Sequence, residues 1–449
     1  MTKKLMLLAI AMLAPLALVS ASGRSETGTQ QRQLRVAHIY DPGTGTSGQM
    51  NYDWFQEVAR EIEARHENVS VELRYFQWDQ IDVRIMADFR AGLTENDVML
   101  TSPQLFAQHA AMGTLLDLNE YVARDWDRSQ LADFEWAGPW RDAQVGGSLL
   151  GMPLGAHARV VAYNTEMFRE VGLDPEHPPR NLDELVEFAK LLTRDLNGDG
   201  TIDVYGFGVY LGPARATIEL AFAPLVWEFG GELWDPATKQ ATFADEAGVK
   251  AVQFLRELIY EHEVVPRAYL AGTYPDATAN AFVKGDVAMS WGFGSYWIAM
   301  MQREGFVTGV FPPTPDVQET GGFVGPNPTT LGSNFTNAWN ISISSRSAQK
   351  DLAWEFINIM LEPERLLRFP DAGLPIRASA WQRPEYQTSF YRVWQDAIER
   401  GRGMPPTAHY GELADTVAAA LQEILARNAD IESTLRRFQD EYNAEYSGQ

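Results

Sequence analysis

Apolar and polar positions alternate in "LRVAHIY" (34–40), the pattern of a half-buried strand, and a Gly-rich loop, "DPGTGTSGQ" (41–49), follows it. Trp54, Val58 and Ile62 then recur at four-residue spacing, with Phe55 and Ala59 widening the apolar face, which predicts a helix. "VSVELRYF" (69–76) reads as the next strand. "DQIDVRIMADFRAG" reads as the next helix, ending at Gly92. "DVMLTS" (97–102) is a short apolar run, and "PQLFAQHAAMGTLLDLNEYV" gives a helix broken by Gly113. Strand–helix–strand–helix–strand with short links implies parallel strands joined by right-handed crossovers, an α/β lobe. Ligands of such sheets sit beyond the carboxyl ends of the strands. The loops after residues 40, 76 and 100 are therefore candidate binding loops, and they carry Tyr40, Asp41, Gln77, Trp78, Ser102 and Gln104.

The second half has the same style. "LLGMPLGAHARVVAYN" (149–164) reads as extended, "LDELVEFAKLLTRD" as an amphipathic helix and "VYGFGVYL" as a strand. "EAGVKAVQFLRELIYEH" reads as a helix, and "TANAFVKGDVAMSWGFGS" as a helix–turn–strand. Between helix and strand, "TRDLNGDGTIDVYGFG" (193–208) sets Asp195, Asn197, Asp199, Gly200 and Asp203 at positions 1, 3, 5, 6 and 9 of a calcium-loop pattern. Position 12 is Gly206, which offers no carboxylate to close the coordination shell. Its helix–loop–strand context removes the helix–loop–helix calcium-hand reading. The expectation is a polar turn, with a structural calcium on Asp195, Asn197, Asp199 and Asp203 as the one cofactor it could hold. No repeat of 20–50 residues appears, which argues against a solenoid or propeller.

Lys3 and Lys4 precede the apolar run "LMLLAIAMLAPLALV", and small residues follow it. This order predicts a secretory signal peptide over residues 1–21, cut after Ala21, with a flexible leader over 22–33. The chain of 449 residues contains no cysteine, so disulfides, thiolate metal sites, a cysteine nucleophile and a lipid anchored on cysteine are all excluded. Removing the signal takes away two lysines and no acids, moving the net charge from −23 to about −25. That sign argues against nucleic acid and anionic membranes as partners.

Catalytic constellations are thin. The chain has no Gly-x-Ser-x-Gly elbow, no His-Glu-x-x-His and no phosphate-cradling loop ending in Gly-Lys-Ser/Thr. His157, His262 and His409 are scattered. Sixty acidic residues make a glycosidase pair conceivable without pointing to one.

Five segments, in order, resemble those of the extracellular solute-binding proteins of ABC importers, the large family that binds sugars and related solutes. They are "MGTLLDLNEYV" (112–122), "LLGMPLGAHARVVAYNTEMFREVGLDPEHPPRNLDELVEFAKLLT" (149–193), "AFVKGDVAMSWGFGSYW" (281–297), "NAWNISISSRSAQKDLAWEFINIMLEPE" (337–364) and "AGLPIRASA" (372–380). The likeness spans essentially the whole chain after the signal. It departs from the family pattern in "PPRNLDE", which lacks the usual Trp, and in "TNA" before Trp339, where a double Gly is usual.

The resemblance implies an α/β, two-lobed periplasmic-binding-protein fold: mixed sheets flanked by helices, with three interlobe crossovers. The crossovers are expected near 152–156, 309–313 and 370–376. The N-lobe would comprise 34–151 plus 313–370, and the C-lobe 156–308 plus 377–449. Sugars present apolar C–H faces and rings of hydroxyls, so their sites combine aromatic platforms with planar hydrogen-bonding groups. Strand-end logic and the family pattern together nominate Trp78, Ser102, Gln104 and Trp339 from the N-lobe, with Asp41 as a hydroxyl acceptor. They nominate Trp227, Trp291, Trp297 and Arg377 from the C-lobe.

The expected function is that of a monomeric periplasmic component that binds a small solute, a mono- or oligosaccharide, closes its lobes and delivers the solute to ABC permease subunits. It performs no chemistry. An exported carbohydrate-active enzyme is the alternative, and a calcium-regulated exported module a third reading.

Overall fold

The computed structural model describes residues 31–43, 45–272, 277–294, 320–323, 335–369, 371, 373–387 and 389–446. The signal and leader segments to residue 30, Trp297 and the crossover expected near 309–313 lie outside the described residues.

In the first lobe, strands β1 (Arg32–His38), β2 (Val69–Tyr75) and β3 (Val98–Thr101) alternate with helices α1 (Gly45–Arg65) and α2 (Ile81–Arg90). Trp54, Phe55, Val58, Ala59 and Ile62 are all buried, the stripe that four-residue spacing puts on one face of α1. β1 pairs parallel with β2 (Arg32 opposite Val69) and with β3 (Val36 opposite Val98), as the crossover pattern predicts. Gly92 and Gly113 both take the left-handed conformation just past their helices, φ 79° and 67°, and so end them.

The second lobe has its own sheet. Its strands are β5 (His157–Asn164), β6 (Tyr205–Gly208), β7 (Val287–Gly294) and β8 (Thr320–Phe323), in the order β8–β5–β7–β6. Helix α4 (Leu182–Leu192) shows how the sequence dictates the element. Asn181 caps it by accepting from the Glu184 N–H at 2.8 Å, and Leu185, Val186, Ala189 and Leu192 bury one stripe. A second core collects around α4, α5 (Glu246–Tyr260), α8 (Tyr410–Arg427) and α9 (Ile431–Tyr446).

The two units are stitched by chain segments that pass between them. Strand β4 (Met152–Pro153) lies at the edge of the first sheet, and three residues later Ala156 exchanges both backbone hydrogen bonds with Leu374, each 2.9 Å. The return passage differs from the expected boundary at 313. β8 and β9 (Thr336–Asn337) both pair with β5 of the second sheet, and β10 (Asn340–Ile343) pairs antiparallel with β3 and β4. The chain therefore re-enters the first lobe between Asn337 and Asn340, and the first sheet reads β2–β1–β3–β10–β4. Cross-strand pairing, which the family pattern does not encode, moves this boundary. Helix α7 (Ser389–Arg400), expected in the C-lobe, packs against β5 and also against the first-lobe helix Gly138–Asp142, and its Trp394, Ala397 and Ile398 join the first core.

Candidate functional site

A cavity of about 370 Å³ opens between the lobes. One wall begins where β3 ends. The Ser102 hydroxyl accepts from the Leu105 N–H at 3.3 Å and the Ser102 N–H donates to Asp82 Oδ1 at 3.2 Å. Asp82 Oδ1 is also 2.9 Å from His109 Nε2, whose Nδ1 lies 2.8 Å from the Thr114 hydroxyl. Asp82, Ser102, His109 and Thr114 are all buried, so this network fixes the turn that presents Pro103 and Gln104 to the cavity.

A second wall is the short helix Gly138–Asp142, and a third is the passing segment Asn337–Asn340. From the second lobe come Gly403, Met404, Pro405, Pro406 and Tyr410. Glycine lets these surfaces meet. A Cβ on Gly401 would collide with Thr336 and with the Ala397 carbonyl, and one on Gly403 would collide with the Asp142 carboxylate.

Two acids near the cavity carry raised pKa values. Asp142 reaches solvent through the cavity, yet the protein around it desolvates its carboxyl and pushes it up to about 7, against the pull of Arg141. Glu219 is 7% exposed and is likewise pushed up to about 7, chiefly by burial, with Arg159 and the Tyr410 hydroxyl drawing it down. It sits on a single turn of π-helix, Ile218–Phe222, a rare geometry that recurs at functional sites. Tyr410 donates to Glu219 Oε1 at 3.1 Å, and burial beside that acid raises its own phenol well above the ordinary range.

The Glu219 shift has a sign. The native state holds the proton up to about 7 and the unfolded chain only to 4.5. The native form therefore binds more protons between those values, and its stability falls as pH rises through the window, by about 3 kcal/mol in all. Denaturant titrations at pH 4.5 and 7.5 are expected to show this loss, and E219Q to reduce it while the raised Asp142 keeps acting in the same direction; an equal loss in E219Q would contradict the assignment.

The nominated residues are dispersed. Gln104 lines the cavity, while the buried Ser102 stands behind it, its hydroxyl accepting from the Leu105 N–H. Trp78 is 68% exposed, on the loop after β2. Asp41 Oδ1 accepts from the Gly43 N–H at 2.8 Å and so shapes its own turn. Trp227 and Trp291, each 5% exposed, belong to the second core: Arg402 covers the Trp227 ring at 5.1 Å, and Trp291 meets Phe207 edge-on. Trp339 packs half-buried on the first core beside the cavity residues Ala338 and Asn340. Arg377 is committed to Asp133 at 2.7 Å, the Leu361 carbonyl at 2.8 Å and the Phe134 ring, so it ties the first lobe together.

Sequence reading missed Asp142, Asn337, Asn340 and Tyr410. The signal for the last was the Gly- and Pro-rich run "GRGMPPTAHY" (401–410), loop punctuation between two helices. Nothing local marked the other three.

The acidic loop is occupied by itself. Asp195 accepts from the Asn197, Gly198 and Gly200 N–H groups at 3.2, 2.7 and 2.8 Å, and the Gly200 bond leads in holding its carboxyl below the usual range. Asn197 Oδ1 accepts from Asp199, Asp199 from Thr201, and Asp203 from Leu196. Among the described residues no group of three acidic or histidine side chains is arranged to hold a metal ion. Adding millimolar calcium, or removing it with a chelator, is expected to leave the melting temperature unchanged. A clear calcium-dependent rise would assign a structural ion to the loop.

The match to known proteins follows the two-lobed geometry. The model of the bacterial extracellular solute-binding protein family matches residues 46–365. A curated relative, described as a binding protein of Brucella abortus (strain 2308), is 20% identical over 95% of this chain and 95% of its own. The solved structure of the sugar-binding protein MalE from Xanthomonas citri superposes with a TM-score of 0.73 at 18% identity, over 92% of this chain and 96% of that one. An ABC transporter solute-binding protein of Agrobacterium radiobacter K84, in complex with ribitol, gives 0.71 at 21%, over 93% and 99%.

Proposed function

The chain belongs to the bacterial extracellular solute-binding proteins, and we propose that it captures a small polyhydroxylated solute, a mono- or oligosaccharide or a polyol, between its lobes. The observation that carries this reading is the cavity of about 370 Å³ lined from both sides, by Gln104 and Asn340 on one and Asn337 and Tyr410 on the other. Planar amides suit rings of hydroxyls, and an aromatic face suits the C–H side of a sugar. Its relatives with solved structures include proteins described as binding a sugar and ribitol, which supports the same class.

The chain passes between the lobes after Pro153 and again between Asn337 and Asn340, and the first passage is hydrogen-bonded through Ala156 to Leu374 of the first core. These passages form the natural hinge for closure on solute. Work of this kind is done by binding and hinge rotation and needs no chemical step, so the protein delivers its solute as a monomer to ABC permease subunits. The family works outside the cytoplasm, and no helix among the described residues is long and apolar enough to cross a membrane. The Lys3–Lys4 and apolar pattern of residues 1–21 supports export with cleavage after Ala21.

A thermal-shift screen over monosaccharides, disaccharides and polyols at millimolar concentration tests the class. At least one is expected to raise the melting temperature progressively with concentration, because it binds only the folded state. No shift from any of them would refute the carbohydrate class, and turnover of an oligosaccharide would favour the carbohydrate-active enzyme.

A further inference from the structure

Asp142 is the charged group of the cavity that the rest of the protein leaves for something else. It ends the helix Gly138–Asp142, faces the cavity, and receives no hydrogen bond or ion pair from any described side chain. Its neighbour Arg141 could have neutralised it but is turned away: Nη1 donates to the Trp136 carbonyl at 3.3 Å and Nη2 to the Glu399 carbonyl at 2.9 Å. Gly403 approaches the carboxylate so closely that no side chain fits between them, so the second lobe holds it in place without supplying a side-chain donor.

Asn340 adds an independent observation in the same cavity. It is 4% exposed, its Nδ2 donates to the Ala338 carbonyl at 3.4 Å, and its Oδ1 is buried without a partner. A buried acceptor left unmade costs free energy that a bound donor recovers. The cavity thus holds a carboxylate and an amide oxygen that both await donors, with Arg141, the one cation among its described lining residues, directed elsewhere.

We infer that the solute carries an amine alongside its hydroxyls, an amino sugar or amino polyol whose ammonium group pairs with Asp142 and whose hydroxyls reach Asn340. A charge-assisted N⁺–H···O⁻ bond is roughly twice as strong as a neutral one, so this pairing discriminates an amine from the parent hydroxyl compound. The inference rests on the interlobe-cavity reading above.

Isothermal titration of matched pairs tests it: D-glucosamine against D-glucose, D-galactosamine against D-galactose, and glucamine against sorbitol. In at least one pair the amine is expected to bind about tenfold tighter or more, an increment of about 1.4 kcal/mol. D142N should collapse that ratio towards one, and D142E, which keeps the charge, should retain it. Three results would overturn the inference: neutral members binding as well as amines, the preference surviving D142N, or no pair binding at all. Binding of neutral members alone removes only the amine and leaves the carbohydrate reading standing. Silence from all six compounds removes the amine, and the carbohydrate reading falls too if the wider thermal-shift screen is also silent.

Discussion

Gly206→Ala is expected to lower the unfolding free energy by about 3 kcal/mol, the upper range for forcing atoms into a packed site. Gly206 lies in β6, and a Cβ there would overlap the carbonyl carbon and oxygen of Ala189 in α4. That contact is with backbone, so no rotamer change relieves it. Thr193 locks the geometry further, since its hydroxyl donates to the Ala189 carbonyl at 2.8 Å and accepts from the Gly206 N–H at 2.9 Å. Strand and helix must separate to admit one methyl group. A urea titration checks this through the midpoint, with the slope unchanged; a midpoint within experimental error of the parent would show that the α4–β6 packing is looser than described. The same position answers the question that the acidic loop raised. Residue 206 is glycine because a helix carbonyl occupies the space a side chain would need, and a calcium-closing glutamate has no room there.

Tyr410→Ala carries the second large effect, on binding. Tyr410 opens α8, lines the cavity and is anchored through its hydroxyl to Glu219. Removing a buried aromatic anchor from the centre of a contact costs about 2–4 kcal/mol, so affinity for the solute identified by thermal shift should fall by about thirtyfold or more. Because Tyr410 is also a core residue, Tyr410→Phe is the companion: it keeps the ring and removes only the bond to Glu219. The phenylalanine variant should remain folded and bind measurably better than the alanine variant. Equal affinity in parent, Phe and Ala proteins would place the solute elsewhere.

Much of the fold could be read from local pattern because local pattern is what builds it. The apolar stripes of α1 and α4, the Gly92 and Gly113 stops and the alternation in β1 each depend on a few neighbouring residues. The return into the first lobe was read less well. It depends on β9 pairing with β5 and on β10 pairing with β3, partners about 180 and 240 residues apart.

The site shows the same division. Gln104 follows from its place after a parallel strand, a rule about where such sheets bind. Tryptophan content misled for Trp227 and Trp291, because a large apolar ring is as well satisfied by a core as by a ligand. Asp142 and Asn340 became visible only through what surrounds them, a diverted arginine and an unanswered amide oxygen.

The central claim is that a small solute is held between the lobes and draws them together. Small-angle X-ray scattering with and without a saturating concentration of the solute found by thermal shift tests it most directly. The account predicts a smaller radius of gyration in the bound protein, and for Tyr410→Ala the same contraction only at a concentration about thirtyfold higher or more. An unchanged radius in the parent protein, under conditions where calorimetry shows the site filled, would contradict it.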